Sequence, residues 1–356
     1  MYKKLFIPGP THVREEILAA QTAPMIGHRA KDYSDLQADV TPKLQKLLYT
    51  QQPVFLYASS GTGLMEGSLR QAVLKRALIP VCGAFSKRWL EVARGNGVPA
   101  DSIEVEMGQG FTPEMIDAAL SKGDYDVLTL TFNETSTGVM NPLREVAAMV
   151  REKHPDVLLL VDAVSAMAGA KIEFDAWGVD IVFASSQKCF ALPPGLTVAA
   201  VSERAFERAR QVPNRGYYFD FIDMLKYYER NQTPATPAIS LIYALNRQMD
   251  DILAEGLDNR WARHIEMAEL VRAWARKHWA LFSDERFLSN TVTTVTNTRG
   301  ISVGDLNKAL GARGAMISNG YGTLKEKAFR IAHMGDLTAA DIRWLLVQID
   351  DILGLA

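Results

Sequence analysis

Seven short apolar runs, each followed by a stretch long enough for a helix, constrain this chain more than any other feature. They occupy residues 54–57, 79–82, 102–105, 127–131, 157–161, 181–183 and 197–201. Runs that stay apolar, instead of alternating with polar residues, suit strands buried on both faces, and helix-length connectors permit the crossovers that parallel pairing requires. The expected fold is α/β, with a mainly parallel seven-stranded sheet covered by helices on both faces. Loops at the carboxyl ends of such strands form the ligand crevice.

A chain of 356 residues exceeds the usual single core, so a large domain with a smaller companion is expected. Residues 1–16, with Pro8-Gly9-Pro10, read as an extended arm; residues 17–255 form the large domain and residues 256–356 a smaller α+β domain. Leu241, Leu245, Met249 and Ile252 open a long helical stretch over 240–279, whose Met and Trp residues serve as core. Beyond it come a strand at 291–295, a helix at 303–310, a strand at 329–332 and a closing helix at 339–353.

Composition narrows the function. A net charge of −2 with scattered cations provides no footprint for nucleic acid or an anionic membrane, so a small-molecule partner is expected. No apolar run approaches the roughly 20 residues of a membrane-spanning helix. Cys82 and Cys189 make no disulfide framework and fit a reducing cytoplasm. The six histidines lack the spacings that place two ligands on one helix face, so no metal is assigned.

The chemistry lies at strand ends. Lys188 follows the run ending in Ser185-Ser186-Gln187, and Asp162 ends the run 157–161. A lysine where a buried strand opens into a loop can lose solvation and form a Schiff base; an aspartate at a neighbouring strand end can hold a pyridine nitrogen protonated. Together they meet the needs of pyridoxal phosphate. Ala58-Ser59-Ser60-Gly61-Thr62-Gly63, between a strand and a helix, would converge backbone N–H groups on a phosphate. Asn133-Glu134-Thr135-Ser136-Thr137-Gly138 adds hydroxyls at the same edge, and Phe85 after the strand 79–82 could stack on a flat ring.

These segments resemble the class V, fold-type I pyridoxal-phosphate aminotransferases along essentially the whole chain, and most of all the alanine/serine–glyoxylate (serine–pyruvate) branch. The motifs are Pro8-Gly9-Pro10, Ser60-Gly61-Thr62, Asn133 to Gly138, Val161-Asp162-Ala163-Val164-Ser165, Ser186-Gln187-Lys188, Pro193-Pro194-Gly195 and Phe329-Arg330-Ile331-Ala332. The resemblance implies a ping-pong transfer of an amino group from serine or alanine to glyoxylate or pyruvate. Lys188 would carry the cofactor and shuttle the proton, and Asp162 would pair with the ring N–H. Phe85 would cover the ring. Ser60, Gly61, Thr62, Thr135 and Gln187 would hold the phosphate, while Arg330 would take the substrate carboxylate and Gly9 would also contact the substrate. Thr233 or Thr236, in Asn231-Gln232-Thr233-Pro234-Ala235-Thr236-Pro237, would reach the cofactor phosphate of the other subunit, making a homodimer with shared sites.

Two positions depart from the family pattern. Phe85 stands where tryptophan is frequent and Thr62 where histidine is common, so donor choice stays open among serine, alanine, aspartate, phosphoserine, ureidoglycine and aminophosphonates. A dicarboxylate or phosphorylated donor needs a second fixed cation, for which Arg29 is a candidate. With no cysteine beyond Cys189, a cysteine desulfurase is excluded. A non-catalytic subunit of a larger assembly is the alternative from a different class.

Overall fold

A computed structural model describes residues 3–355; Met1, Tyr2 and Ala356, the outermost residues of the expected arm and C-terminal domain, lie outside the described residues. The strands, in chain order, are Lys4–Phe6 (β1), Val54–Tyr57 (β2), Ala77–Val81 (β3), Ala100–Glu104 (β4), Val127–Thr131 (β5), Asn133–Glu134 (β6), Val139–Met140 (β7), Leu158–Asp162 (β8), Ile181–Ser185 (β9), Thr197–Val201 (β10), Ala280–Leu281 (β11), Val292–Thr296 (β12), Ala315–Asn319 (β13) and Ala328–Ala332 (β14).

All seven expected runs are strands of one seven-stranded sheet, ordered β2-β10-β9-β8-β5-β3-β4. Every pairing is parallel except the two made by β10. The central strands stay apolar because both faces are covered, and successive side chains enter opposite cores. Leu159, Val161, Val182 and Ala184 pack with the helices Lys31–Leu48, Leu143–Lys153 and Ile239–Glu255. Leu158, Leu160, Ile181 and Phe183 pack with the helices Gly61–Ala72, Ala84–Gly95 and Glu203–Gln211. Truncating one of these, Leu160→Ala for example, costs about 2–5 kcal/mol, because the neighbours cannot close the cavity.

A five-stranded sheet, β1-β13-β14-β12-β11, makes up the second sheet layer, so the opening arm contributes a strand parallel to β13. The long helical stretch expected over 240–279 is two helices, Ile239–Glu255 and Leu257–His278. Gly256 separates them at φ +85°, a conformation that breaks helical continuity and that glycine adopts without a Cβ penalty. Strand β13 escaped the sequence reading because only Ala315 and Ile317 face inward while Met316 is exposed, too short an alternation to stand out.

No helix among the described residues is long and apolar enough to cross a membrane.

Candidate active site

The carboxyl ends of β8 and β9, adjacent in the large sheet, bring Asp162 and Lys188 to one cavity of about 180 Å3. Ser60, Gly61, Thr62, Phe85, Thr135 and Gln187 line it too, as do Met65, Arg88, Asn133, Val164, Ser165 and Ser185. A wider groove of about 670 Å3 lies elsewhere, bordered by Lys75, Asp126 and Arg208. It is bordered by ion pairs, Arg208 with Asp126 and Lys75 with Asp124, and contains none of the candidate site residues singled out in the sequence.

Burial shifts both key groups toward neutrality. It pulls the Lys188 amine down to about 8, opposed by Cys189 and assisted by Arg330. The amine donates to the Pro8 carbonyl oxygen. The Asp162 carboxyl is pushed up to about 7 by burial, against the stabilising N–H of Val164, which Oδ1 accepts at 2.8 Å. Gly9 presses on the lysine so closely that a Cβ there would stand 2.5 Å from Nζ.

Phe85 owes its position to Glu134, a residue given no role in the sequence reading. The Glu134 carboxylate accepts from the N–H groups of Phe85, Ser86 and Ser136 and from both serine hydroxyls, closing the N-terminus of the helix Ala84–Gly95. The signal was Gly83, where a Cβ would lie 2.5 Å from the Glu134 side chain. Thr135 spends its hydroxyl on Ser165 Oγ at 2.7 Å. Asn133 Nδ2 reaches the same Ser165 Oγ, also at 2.7 Å.

Arg330, on β14, is only 8% exposed and forms no ion pair among the described residues. Its apolar neighbours Phe329 and Ile331 face the core of the second sheet, which turns the guanidinium the other way. Nη1 donates to Thr135 O and Nε to Asn319 O, both at 3.2 Å, with the Tyr321 ring 5.5 Å away. Burial lowers its pKa to about 10. Arg29, by contrast, donates to the carbonyls of Thr233 and Pro234 and packs over Tyr227. The second cation at the cavity is Arg88, which the sequence reading passed over because it sits mid-helix with no flanking motif.

Thr233 and Thr236 do not reach this cavity within one chain. They border a separate small pocket with Tyr57 and Tyr218, where Thr233 Oγ1 donates to Ala235 O at 2.7 Å.

Residues 64–337 match the family model described as aminotransferase class-V. The chain belongs to the class-V aminotransferases. Among its relatives, an L-aspartate–glyoxylate aminotransferase of Paracoccus denitrificans is 35% identical over 94% of this chain and 87% of its own length. A serine–glyoxylate aminotransferase of Arabidopsis thaliana is 30% identical over 98% of this chain and 90% of its own. The solved alanine–glyoxylate aminotransferase of Nostoc sp. superposes with a TM-score of 0.92 at 28% identity, covering 99% of this chain and 96% of that one. This aminotransferase therefore has the fold-type I architecture, and its family implies pyridoxal phosphate.

The residues present fit that group. A lysine amine with lowered basicity and a buried carboxyl face one cavity, with an aromatic ring on its wall. Asn133 Oδ1 and Ser185 Oγ, both buried, have no hydrogen-bond partner there, as expected of atoms reserved for a ligand.

Proposed function

We propose that this aminotransferase carries an amino group from serine or alanine to glyoxylate or pyruvate, using pyridoxal 5'-phosphate bound through Lys188. The observation that carries the reading is Arg330: a buried guanidinium without a carboxylate partner, beside the cavity of Lys188 and Asp162. A buried charge is held at a cost unless something neutralises it, and an α-carboxylate does so bidentately. Donor amino acid and acceptor oxo acid share that group, so one arginine serves both halves of a ping-pong cycle.

When bound, the cofactor supplies an electron sink and a temporary carrier for the amino group. The side chains supply the rest. Lys188, its amine made less basic by burial, would move the proton from the substrate Cα to the cofactor's C4′ carbon in one half and from that carbon to the acceptor Cα in the other. Asp162, as a carboxylate, keeps the ring nitrogen protonated, while Phe85, fixed by Glu134, covers the ring face and excludes water. Gln187, Thr62 and the helix start at Ser60-Gly61, which line the same cavity, would hold the phosphate.

Two features support a homodimer with shared sites. Thr233 and Thr236 lie away from their own chain's cavity, and nearby Tyr217 is 92% exposed, unusual for a large aromatic side chain. The Paracoccus relative favours a second reading, with aspartate as donor. Arg29, which donates to the Thr233 and Pro234 carbonyls and packs over Tyr227, does not line the cavity where the extra carboxylate would sit.

The test is a steady-state panel of serine, alanine, aspartate, phosphoserine and ureidoglycine against glyoxylate, pyruvate and 2-oxoglutarate. Highest kcat/KM for serine or alanine with glyoxylate or pyruvate is expected. Preference for aspartate would replace the donor assignment, and no turnover with any pair would refute the reading.

A further inference from the structure

One permanent cation on the cavity wall has no role in the account so far. Arg88 lies one helical turn beyond Phe85; its guanidinium carbon is 5.0 Å from the Phe85 ring centre, and Nη1 donates to Thr62 Oγ1 at 3.4 Å. Among the described residues it forms no ion pair. Lys188 is the other basic residue lining the cavity, and its amine is committed to the cofactor's carbonyl carbon.

Three kinds of donor meet beside Thr62. Thr62 is the second residue of the helix Gly61–Ala72, and the Ser60 side chain does not cap that helix, so the N–H groups of Gly61 and Thr62 have no intrahelical acceptor. The positive end of the helix dipole adds to them. Ser185 Oγ, 1% exposed and without a partner, lies 3.0 Å from the point where a Cβ on Gly61 would stand. Arg88 adds a full charge and a planar fork of donors. A helix end, an unspent buried hydroxyl and an unpaired guanidinium at one place complement a small dianion far better than a neutral group.

We propose that Arg88 binds the phosphate of the cofactor, together with the Gly61 and Thr62 N–H groups and the Ser185 hydroxyl. This rests on the cofactor reading above and refines it. The phosphate dianion is matched within one chain by a guanidinium. Arg330 is then the one cation left for the substrate, which suits a donor with a single carboxylate. Arg88 and Arg330 divide the anions between them: Arg88 packs on Phe85, the Phe85 ring lies tilted by 41° with its centre 5.3 Å from that of Tyr321, and Arg330 lies over Tyr321.

The experiment compares pyridoxal phosphate with pyridoxal, which lacks only the phosphate, in binding to full-length apoprotein followed by the absorbance of the lysine adduct. Arg88→Gln is expected to weaken pyridoxal phosphate by roughly 10- to 100-fold, the range of a charge-assisted pair, and to leave pyridoxal within about twofold. Arg88→Lys, which keeps the charge and loses the fork, should recover part of the difference and guards against misfolding of the glutamine variant. Inorganic phosphate should slow reconstitution of the wild type far more than that of Arg88→Gln. Equal weakening of both compounds would overturn the proposal and make Arg88 a support for Phe85. Unchanged binding of both, with loss confined to aspartate turnover, would overturn it in favour of a contact to a dicarboxylate donor. If the wild type forms no adduct with either compound, the cofactor reading fails as a whole.

Discussion

Arg330 Nη1 donates to the carbonyl oxygen of Thr135 at 3.2 Å, linking a strand of the second sheet to the hydroxyl-rich loop that follows β5 of the first. That bond sets the guanidinium beside the cavity and leaves its remaining donors for a ligand. The two sheets thus meet where the substrate carboxylate is expected.

Replacing Arg330 with alanine should lower kcat/KM by roughly 10- to 10,000-fold, since a charge-assisted hydrogen bond is worth about 1.5–3 kcal/mol and the fork can make two. The loss should appear for amino donor and oxo acceptor alike, with cofactor affinity retained. Steady-state kinetics in both directions check this; a defect limited to cofactor retention would contradict it.

Asp162 gives a prediction of opposite signs for stability and activity. Its carboxyl titrates near 7 in the folded apoprotein, against 3.8 in an unfolded chain, so the folded state holds a proton that the unfolded state has released. Apoprotein stability should therefore fall as pH rises from about 4 to 7. Asp162→Asn should abolish that slope and stabilise the apoprotein at pH 8 by roughly 4 kcal/mol. The same change should reduce transamination by two or more orders of magnitude, because the ring nitrogen loses its anion. Urea titrations across pH, with rates on the same variant, test both halves.

Lys188 supplies a pH dependence. With its pKa lowered to about 8 by burial, the neutral nucleophilic amine grows in as pH rises through that value instead of through 10.5. Stopped-flow mixing of apoprotein with pyridoxal phosphate should show a condensation rate that rises with a midpoint near pH 8 and levels off above it. A midpoint near 10.5 would mean the amine is solvated.

Gly9→Ala should disturb the lysine. The new Cβ would stand 2.5 Å from Nζ, and the backbone there has φ +124°, a region that alanine rarely occupies. Adduct formation should slow by roughly tenfold or more, equivalent to about 1.4 kcal/mol. The same stopped-flow assay reads it, and a wild-type rate would show that Gly9 is not needed beside the amine.

The large sheet was legible in the sequence because its strands are covered on both sides, so burial writes itself as unbroken apolar runs such as 157–161. Lys188 and Asp162 were legible because polar residues terminate those runs. What escaped detection depends on contacts between distant segments. Glu134 reads as one more loop carboxylate until the fold carries it to the N-terminus of the helix Ala84–Gly95. Arg88 reads as an ordinary helix-surface cation until the Gly61–Ala72 helix brings Thr62 against it. Arg29 shows the same dependence: its motif lies near the arm in sequence, while its guanidinium donates to the 233–234 backbone carbonyls.

The measurement that bears most directly on the central claim is borohydride reduction of the protein loaded with pyridoxal phosphate, followed by peptide mass spectrometry. A single stable adduct on the ε-nitrogen of Lys188 is expected, and Lys188→Ala should lose both the label and turnover while retaining the fold. A label on another lysine, or near wild-type turnover in Lys188→Ala, would contradict the account.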